Sequence, residues 1–205
     1  MPDETLRLFV ACTVSDEVLR ALTAVQDDLR RAGFDRLRYA RPEGIHITLK
    51  FLGGVAGSRV DSIAAALVTA IRPFELSLAV QGLGGFGGGR MAGRVIWAGV
   101  RGTDQGHDAS GPLNTLAELV EAALGPLGFP REDRPFRPHL TLARMPREMP
   151  PDERRRLDRF LQSYKFPVPP PMIVTEVLLM RSFLGPGGST YEQLVSFPED
   201  RGKAS

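Results

Sequence analysis

Two of the three histidines in this 205-residue chain open the same four-residue word, His46-Ile47-Thr48-Leu49 and His139-Leu140-Thr141-Leu142. An unperturbed imidazole titrates at about pH 6.5, so near neutrality a pair holds one neutral base and one protonated acid at once. Concerted general acid–base catalysis requires that combination. A threonine two residues on adds a hydroxyl suited to an oxygen of a phosphoryl group held between the two rings. In a β-strand, alternate side chains leave on one face. His and Thr of each word therefore emerge together, while Ile47, Leu49, Leu140 and Leu142 turn into a core.

Other chemistries fit the residue inventory less well. Two histidines and two threonines are a thin ligand set, and no His-x-x-x-His, Cys-x-x-Cys or neighbouring carboxylate cluster completes a metal site, so no cofactor is expected. No Gly-x-Ser-x-Gly elbow is present for a serine hydrolase. Cys12 is the only cysteine; it lies in the apolar run Leu6 to Cys12 and reads as a buried free thiol. His107 belongs to a polar loop, Gly102 to Asp108, and is expected in solvent.

Three residues just beyond the words need a decision about their face. Arg144 offers a forked cation to a phosphate, but strict alternation sends it to the core side with Leu140 and Leu142, so its use requires the strand to end, twist or bulge after Ala143. Lys50 shares the His46 face by parity, where it extends a cationic patch or sits at a solvated edge. Phe51 falls on the apolar face with Ile47 and Leu49, where core packing is expected over base stacking.

The elements that must position these residues follow from periodicity and punctuation. Leu6 to Thr13 reads as a strand. Ser15 with Asp16 and Glu17 caps a helix to about Ala32, whose inward stripe is Val18, Leu22, Val25 and Leu29. Arg36 to Ala40 and Ile45 to Leu52 read as a strand pair around Pro42-Glu43-Gly44, with Gly53-Gly54 ending the second. Ser58 opens a helix from Arg59 to about Ile71, and Phe74 to Gln81 resumes as a strand. Gly82 to Arg90 reads as a loop; it resembles a phosphate cradle only superficially, since no Gly-Lys-Ser/Thr ending follows. Strands are expected at Arg94 to Val100, His139 to Ala143, Met172 to Arg181 and Thr190 to Phe197. Helices are expected from Pro112 to about Leu124 and from Pro151 to about Gln162.

Composition sets wide bounds. With 42% hydrophobic and 24% charged residues the chain is ordinary for a soluble globular protein, and no apolar run is long enough to span a bilayer. The opening Met1 to Thr5 lacks the basic and apolar stretches of a secretory signal, so residence in the cytoplasm is expected. A formal charge of +2 does not demand a polyanionic partner. The cations are almost all arginine, which suits phosphate but follows equally from base composition.

The chain resembles the two-histidine phosphoesterases, and within them the RNA 2′,3′-cyclic phosphodiesterase branch, whose proteins were also described as 2′-5′ RNA ligases. The resemblance rests on the two words in context, Arg41 to Gly53 and Phe136 to Arg144, together with Leu6 to Ala11, Arg94 to Val100 and Arg181 to Tyr191. It implies an α+β fold, bilobed, with two antiparallel sheets, helices on the outer faces, pseudo-two-fold symmetry and a central groove. Residues 1–197 would form that domain and 198–205 a disordered tail. The implied chemistry is metal-independent opening of an RNA or nucleoside 2′,3′-cyclic phosphate to a 2′-phosphate. His46 would be the acid on the departing 3′-oxygen and His139 the base on water, with Thr48, Thr141 and Arg144 holding the phosphate. The same site would permit 2′-5′ ligation of RNA ends, and a non-catalytic nucleotide- or RNA-binding module is the alternative of a different class. The expected partners are RNA cyclic phosphate ends or cyclic nucleotides, with no membrane, and a monomer is the default.

Overall fold

A computed structural model describes residues 3–85, 95–103, 111–185 and 188–198. The loop around His107, residues 86–90 of the glycine-rich stretch and residues 199–205 of the tail lie outside these. The chain runs β1 (Thr5–Cys12), α1 (Asp16–Arg31), β2 (Arg38–Tyr39), β3 (Ile47–Ala56), α2 (Val60–Ala70), β4 (Leu76–Gly85), β5 (Val95–Gly102), α3 (Gly111–Leu124), β6 (His139–Arg144), α4 (Pro151–Ser163), β7 (Met172–Val174), β8 (Val177–Gly185) and β9 (Gly188–Phe197). The expected two antiparallel sheets are the two halves of one nine-stranded sheet, in the order β7-β4-β5-β6-β3-β1-β8-β9, with β2 beside β6. The halves meet at a single backbone pair, Ile47 with Leu140.

Local chemistry explains most boundaries. Ser15 caps α1 by accepting from the Val18 amide, and the acidic Asp16 and Glu17 face the positive helix end. The predicted stripe Val18, Leu22, Val25 and Leu29 is fully buried, each such side chain contributing roughly 1.5–3 kcal/mol. Ser58 does not cap α2. Its amide instead donates to the Asp3 carboxylate, and a short 3-10 turn precedes the helix. The burial expected of Cys12 is complete, and it pushes the thiol up to about 12, with Glu176 adding to the effect.

Three strand expectations are corrected by pairing. The Arg36 to Ala40 segment pairs with β6, not with β3, and only Arg38–Tyr39 is strand. Gly53 does not end β3: at φ +74 it takes up a bulge, and the strand continues to Ala56. Gly82 to Gly85 is not loop but the end of β4, because the Trp97 ring of β5 lies across it. A Cβ on Gly84 would sit 2.3 Å from that ring.

The helices stand behind the sheet in pairs that exchange halves. α1 follows β1, yet it packs on β6 beside α4, which itself covers β4. Phe34 meets Phe160 edge-on at 5.6 Å, and Arg156 donates to the Gly33 carbonyl between these two helices. α3 follows β5 and touches it, but also packs on β3 of the other half, beside α2, which reaches β9.

Candidate active site

The Ile47–Leu140 pair is antiparallel, so one residue further each way sets His46 opposite Thr141 and Thr48 opposite His139. The two words are thus direct neighbours in the sheet, with their second residues back to back in the core, both fully buried. His46, Thr48, His139 and Thr141 are all half-buried on the opposite face.

Each word contains a β-bulge at its leucine. In β3, Thr48 pairs with Ala11 but Lys50 pairs with Val10, leaving Leu49 as the extra residue. In β6, Thr141 pairs with Trp97 but Ala143 pairs with Ile96, leaving Leu142 extra. An inserted residue reverses the parity of everything beyond it. Arg144 therefore rejoins the His139 face and is exposed, which resolves the conflict in the alternation argument; the bulge falls at Leu142, before Ala143.

The same reversal overturns both expectations for β3. Lys50 leaves the His46 face and is buried, its Nζ 2.6 Å from Glu121 of α3 and donating at 2.6 Å to the Pro130 carbonyl. It adds no cation to the groove. Phe51 comes out of the core to the groove face at 64% exposure. Period-two counting missed these placements because the extra residue carries no composition signal of its own.

Both bulges are held from behind by a buried polar side chain. Gln26 of α1 donates through Nε2 to the carbonyls of Leu142 and Ala40 at 2.8 Å each. Lys50 and Glu121 serve the β3 side.

The imidazoles are oriented alike. His139 Nδ1 donates to the Arg137 carbonyl at 2.8 Å, and His46 bonds the Gly44 carbonyl, in each case two residues back along the chain. With Nδ1–H held by the Arg137 carbonyl, neutral His139 carries its lone pair on Nε2, which makes that nitrogen the acceptor. The His46 ring stacks on Phe9 at 4.7 Å and meets Tyr191 edge-on at 5.1 Å. Tyr191 closes in because residue 44 is glycine: a Cβ there would lie 2.8 Å from the tyrosine ring. Phe9 and Tyr191 are site residues that motif spacing did not reveal. The signal for Phe9 was an aromatic on the Arg7-Phe9-Ala11 face of β1, opposite the core residues Leu6, Leu8 and Val10.

Burial dominates the titration of both rings. It pushes His46 down to about 4, against the opposing pull of the Gly44 carbonyl, and the charge of His139 adds to the lowering. His139 is also lowered, first by burial and further by the Arg144 guanidinium, while the Arg137 carbonyl opposes the change. An opposite charge placed within a few ångströms of the rings would act against that lowering. Among the described residues no three His, Cys, Asp or Glu side chains gather as they would around a metal ion.

Residues 14–182 match the sequence model of the 2′-5′ RNA ligase superfamily. The chain belongs to this superfamily. Its superfamily relatives include a protein of Archaeoglobus fulgidus named RNA 2′,3′-cyclic phosphodiesterase, 33% identical over 94% of this chain and 99% of the relative. A Thermotoga maritima protein of the same name is 32% identical over 92% and 93%. The α+β architecture matches a crystal structure from Thermus thermophilus at a TM-score of 0.68 and 28% identity, covering 93% of this chain and 96% of that one. Escherichia coli LigT complexed with 3′-AMP shares the superfamily fold at a TM-score of 0.68 and 24% identity, over 95% and 98%. Among the described residues no helix is long and apolar enough to cross a membrane.

Proposed function

We propose that the chain hydrolyses RNA or nucleoside 2′,3′-cyclic phosphates to 2′-phosphates by paired-histidine catalysis without a metal. The reading is supported above all by the adjacency of the two words on one face, with Arg144 rejoining them through the Leu142 bulge. The names of the superfamily relatives point to the same substrate class.

In the proposed reaction His139 Nε2 takes a proton from water, whose oxygen attacks phosphorus. The P–O3′ bond breaks opposite the attacking oxygen, and His46 delivers a proton to the departing 3′-oxygen. A 2′-phosphomonoester results, and the two rings have exchanged protonation states. One proton then returns to His46 through solvent. Thr48 and Thr141 donate to the non-bridging oxygens, and Arg144 carries the charge that accumulates on them. An attacking and a leaving oxygen lie on opposite sides of phosphorus, which is why one histidine on each of two neighbouring strands suits the step.

The test uses adenosine 2′,3′-cyclic phosphate in the presence of EDTA. The 2′-monophosphate should be the product, and His46→Ala and His139→Ala should each lose roughly 10²- to 10⁴-fold in kcat. A substrate with sulfur at the 3′-bridging position leaves without a proton, so it should restore His46→Ala and not His139→Ala. A 3′-phosphate product, or rescue of the opposite variant, refutes the assignment of roles.

A further inference from the structure

The histidine words are not the only residues that the register sets face to face. β3 bridges β6 only at Ile47 and Leu140. Further along, at Ala143 and Arg144, the place beside β6 is taken by β2, because β5 holds the other edge through Ile96 and Val95. Two columns therefore run side by side. The β6 column reads His139, Thr141, Arg144; the one alongside reads Thr48, His46 and then Arg38, each opposite its counterpart. Directly opposed residues of an antiparallel pair share a face, with Cβ atoms about 4.5–5.5 Å apart. The adjoining pair fixes the side: Ala143 is fully buried against the helices, and the Tyr39 hydroxyl donates to the Phe34 carbonyl at 3.0 Å. Arg38 thus leaves on the groove face with Arg144 and the histidines, and both arginines are exposed.

Like charges set opposite one another destabilise a sheet. Nearby arginines are matched, Arg30 by Asp27, Arg31 by Asp28 and Arg36 by Glu153. Arg38 and Arg144 form no salt bridge with a described residue. Yet the strand that presents Arg38 is only two residues long and is held firmly from behind. Gln26 Nε2 donates to the Ala40 and Leu142 carbonyls, tying β2 to β6 behind the arginine pair, and the Arg30 guanidinium lies 4.1 Å over the Tyr39 ring. Two uncompensated guanidiniums fixed at the end of an acid–base row make a place for a doubly charged anion.

We infer that Arg38 is a second phosphate-binding arginine, which shares with Arg144 the non-bridging oxygens of the reacting group and favours its doubly charged states. The inference rests on the proposed function and adds a residue to it. The cyclic diester bears one negative charge. A second develops on the phosphoryl oxygens as water attacks and His139 takes its proton, and the 2′-phosphomonoester keeps that charge at neutral pH, its second pKa being about 6. One guanidinium matches the substrate, whereas two match the transition state and the product. Binding gained only there raises kcat more than it lowers KM.

The experiment measures turnover of adenosine 2′,3′-cyclic phosphate, calorimetric binding of adenosine 2′-monophosphate, and urea unfolding. It uses wild type, Arg38→Gln, Arg38→Lys, Arg144→Gln and the double variant of Arg38→Gln with Arg144→Gln. Arg38→Gln should lower kcat about 10- to 100-fold with a smaller change in KM, and weaken monophosphate binding by a similar factor. Arg38→Lys keeps the charge but not the fork, and should recover part of both losses. The double variant should lose less than the product of the two single losses, because both residues act on one phosphate. Arg38→Gln should be at least as stable as wild type, since a repulsion has been removed. Unchanged monophosphate binding in Arg38→Gln, strictly multiplicative losses in the double variant, or a loss of binding that tracks a loss of stability overturns the inference. If wild type binds the monophosphate but does not turn over the cyclic substrate, the proposed hydrolysis fails instead. The binding and unfolding measurements then decide the role of Arg38 separately, since neither needs catalysis.

Discussion

Acid should weaken this fold through His46 in a way that a single substitution can isolate. The imidazole sits at about 4 in the folded chain against 6.5 for its ordinary value, burial being the main cause. As the pH falls below 6.5, the unfolded chain takes up a proton that the folded chain refuses, so the contribution of His46 is fully present above that value and drains away down to about pH 4. Integrating the two titrations between about pH 7 and pH 4.5 gives a loss of about 2 kcal/mol from this residue. The shift of His139 has the same sign and adds to it. The assay is urea unfolding of wild type and His46→Gln at both pH values. Gln cannot titrate, and the contacts it loses with Phe9 and Tyr191 cost the same at either pH, so the pH-dependent part of the difference belongs to the proton. The gap between the two proteins should narrow by about 2 kcal/mol on acidification. A gap that stays constant refutes the burial argument and with it the claim that the groove holds His46 neutral.

Two further expectations concern the supports behind the bulges. Lys50→Ala leaves Glu121 buried without its cation and should cost about 3–5 kcal/mol in urea unfolding, whereas Lys50→Met with Glu121→Leu should recover most of that loss; equal losses would mean the pair is not the anchor. Gln26→Leu removes two hydrogen bonds to strand carbonyls and should cost about 1–3 kcal/mol. It should also reduce kcat/KM, and much less so when Arg144→Ala is already present, because both substitutions act on the same phosphate contact; additive losses would separate them.

Much of this site was legible in the chain because identical short words impose identical local geometry. Ser15, the α1 stripe and the threonine parity each follow from spacing alone, and each is found as expected. What spacing could not supply was the extra residue at Leu49 and at Leu142. A bulge is decided by the register of the neighbouring strand, here Val10 with Ala11 and Ile96 with Trp97, and those partners are remote in sequence. The misplacements of Lys50 and Phe51 both come from that one cause. The pairing of β2 with β6 was hidden for a similar reason: Pro42 to Gly44 looks like a hairpin turn, yet the short strand before it pairs with a strand just over a hundred residues later.

The exchange of helices between the halves has a consequence for anyone who would divide the molecule. A fragment cut after β3 and α2 would keep α1 but lose β6, the strand α1 was shaped to cover, and would leave β3 without the α3 carboxylate that neutralises Lys50. Each piece would carry a roof belonging to the other house. Reassembly from separately expressed fragments, or a graft of one word-bearing strand into a foreign scaffold, would have to import the distant helix as well.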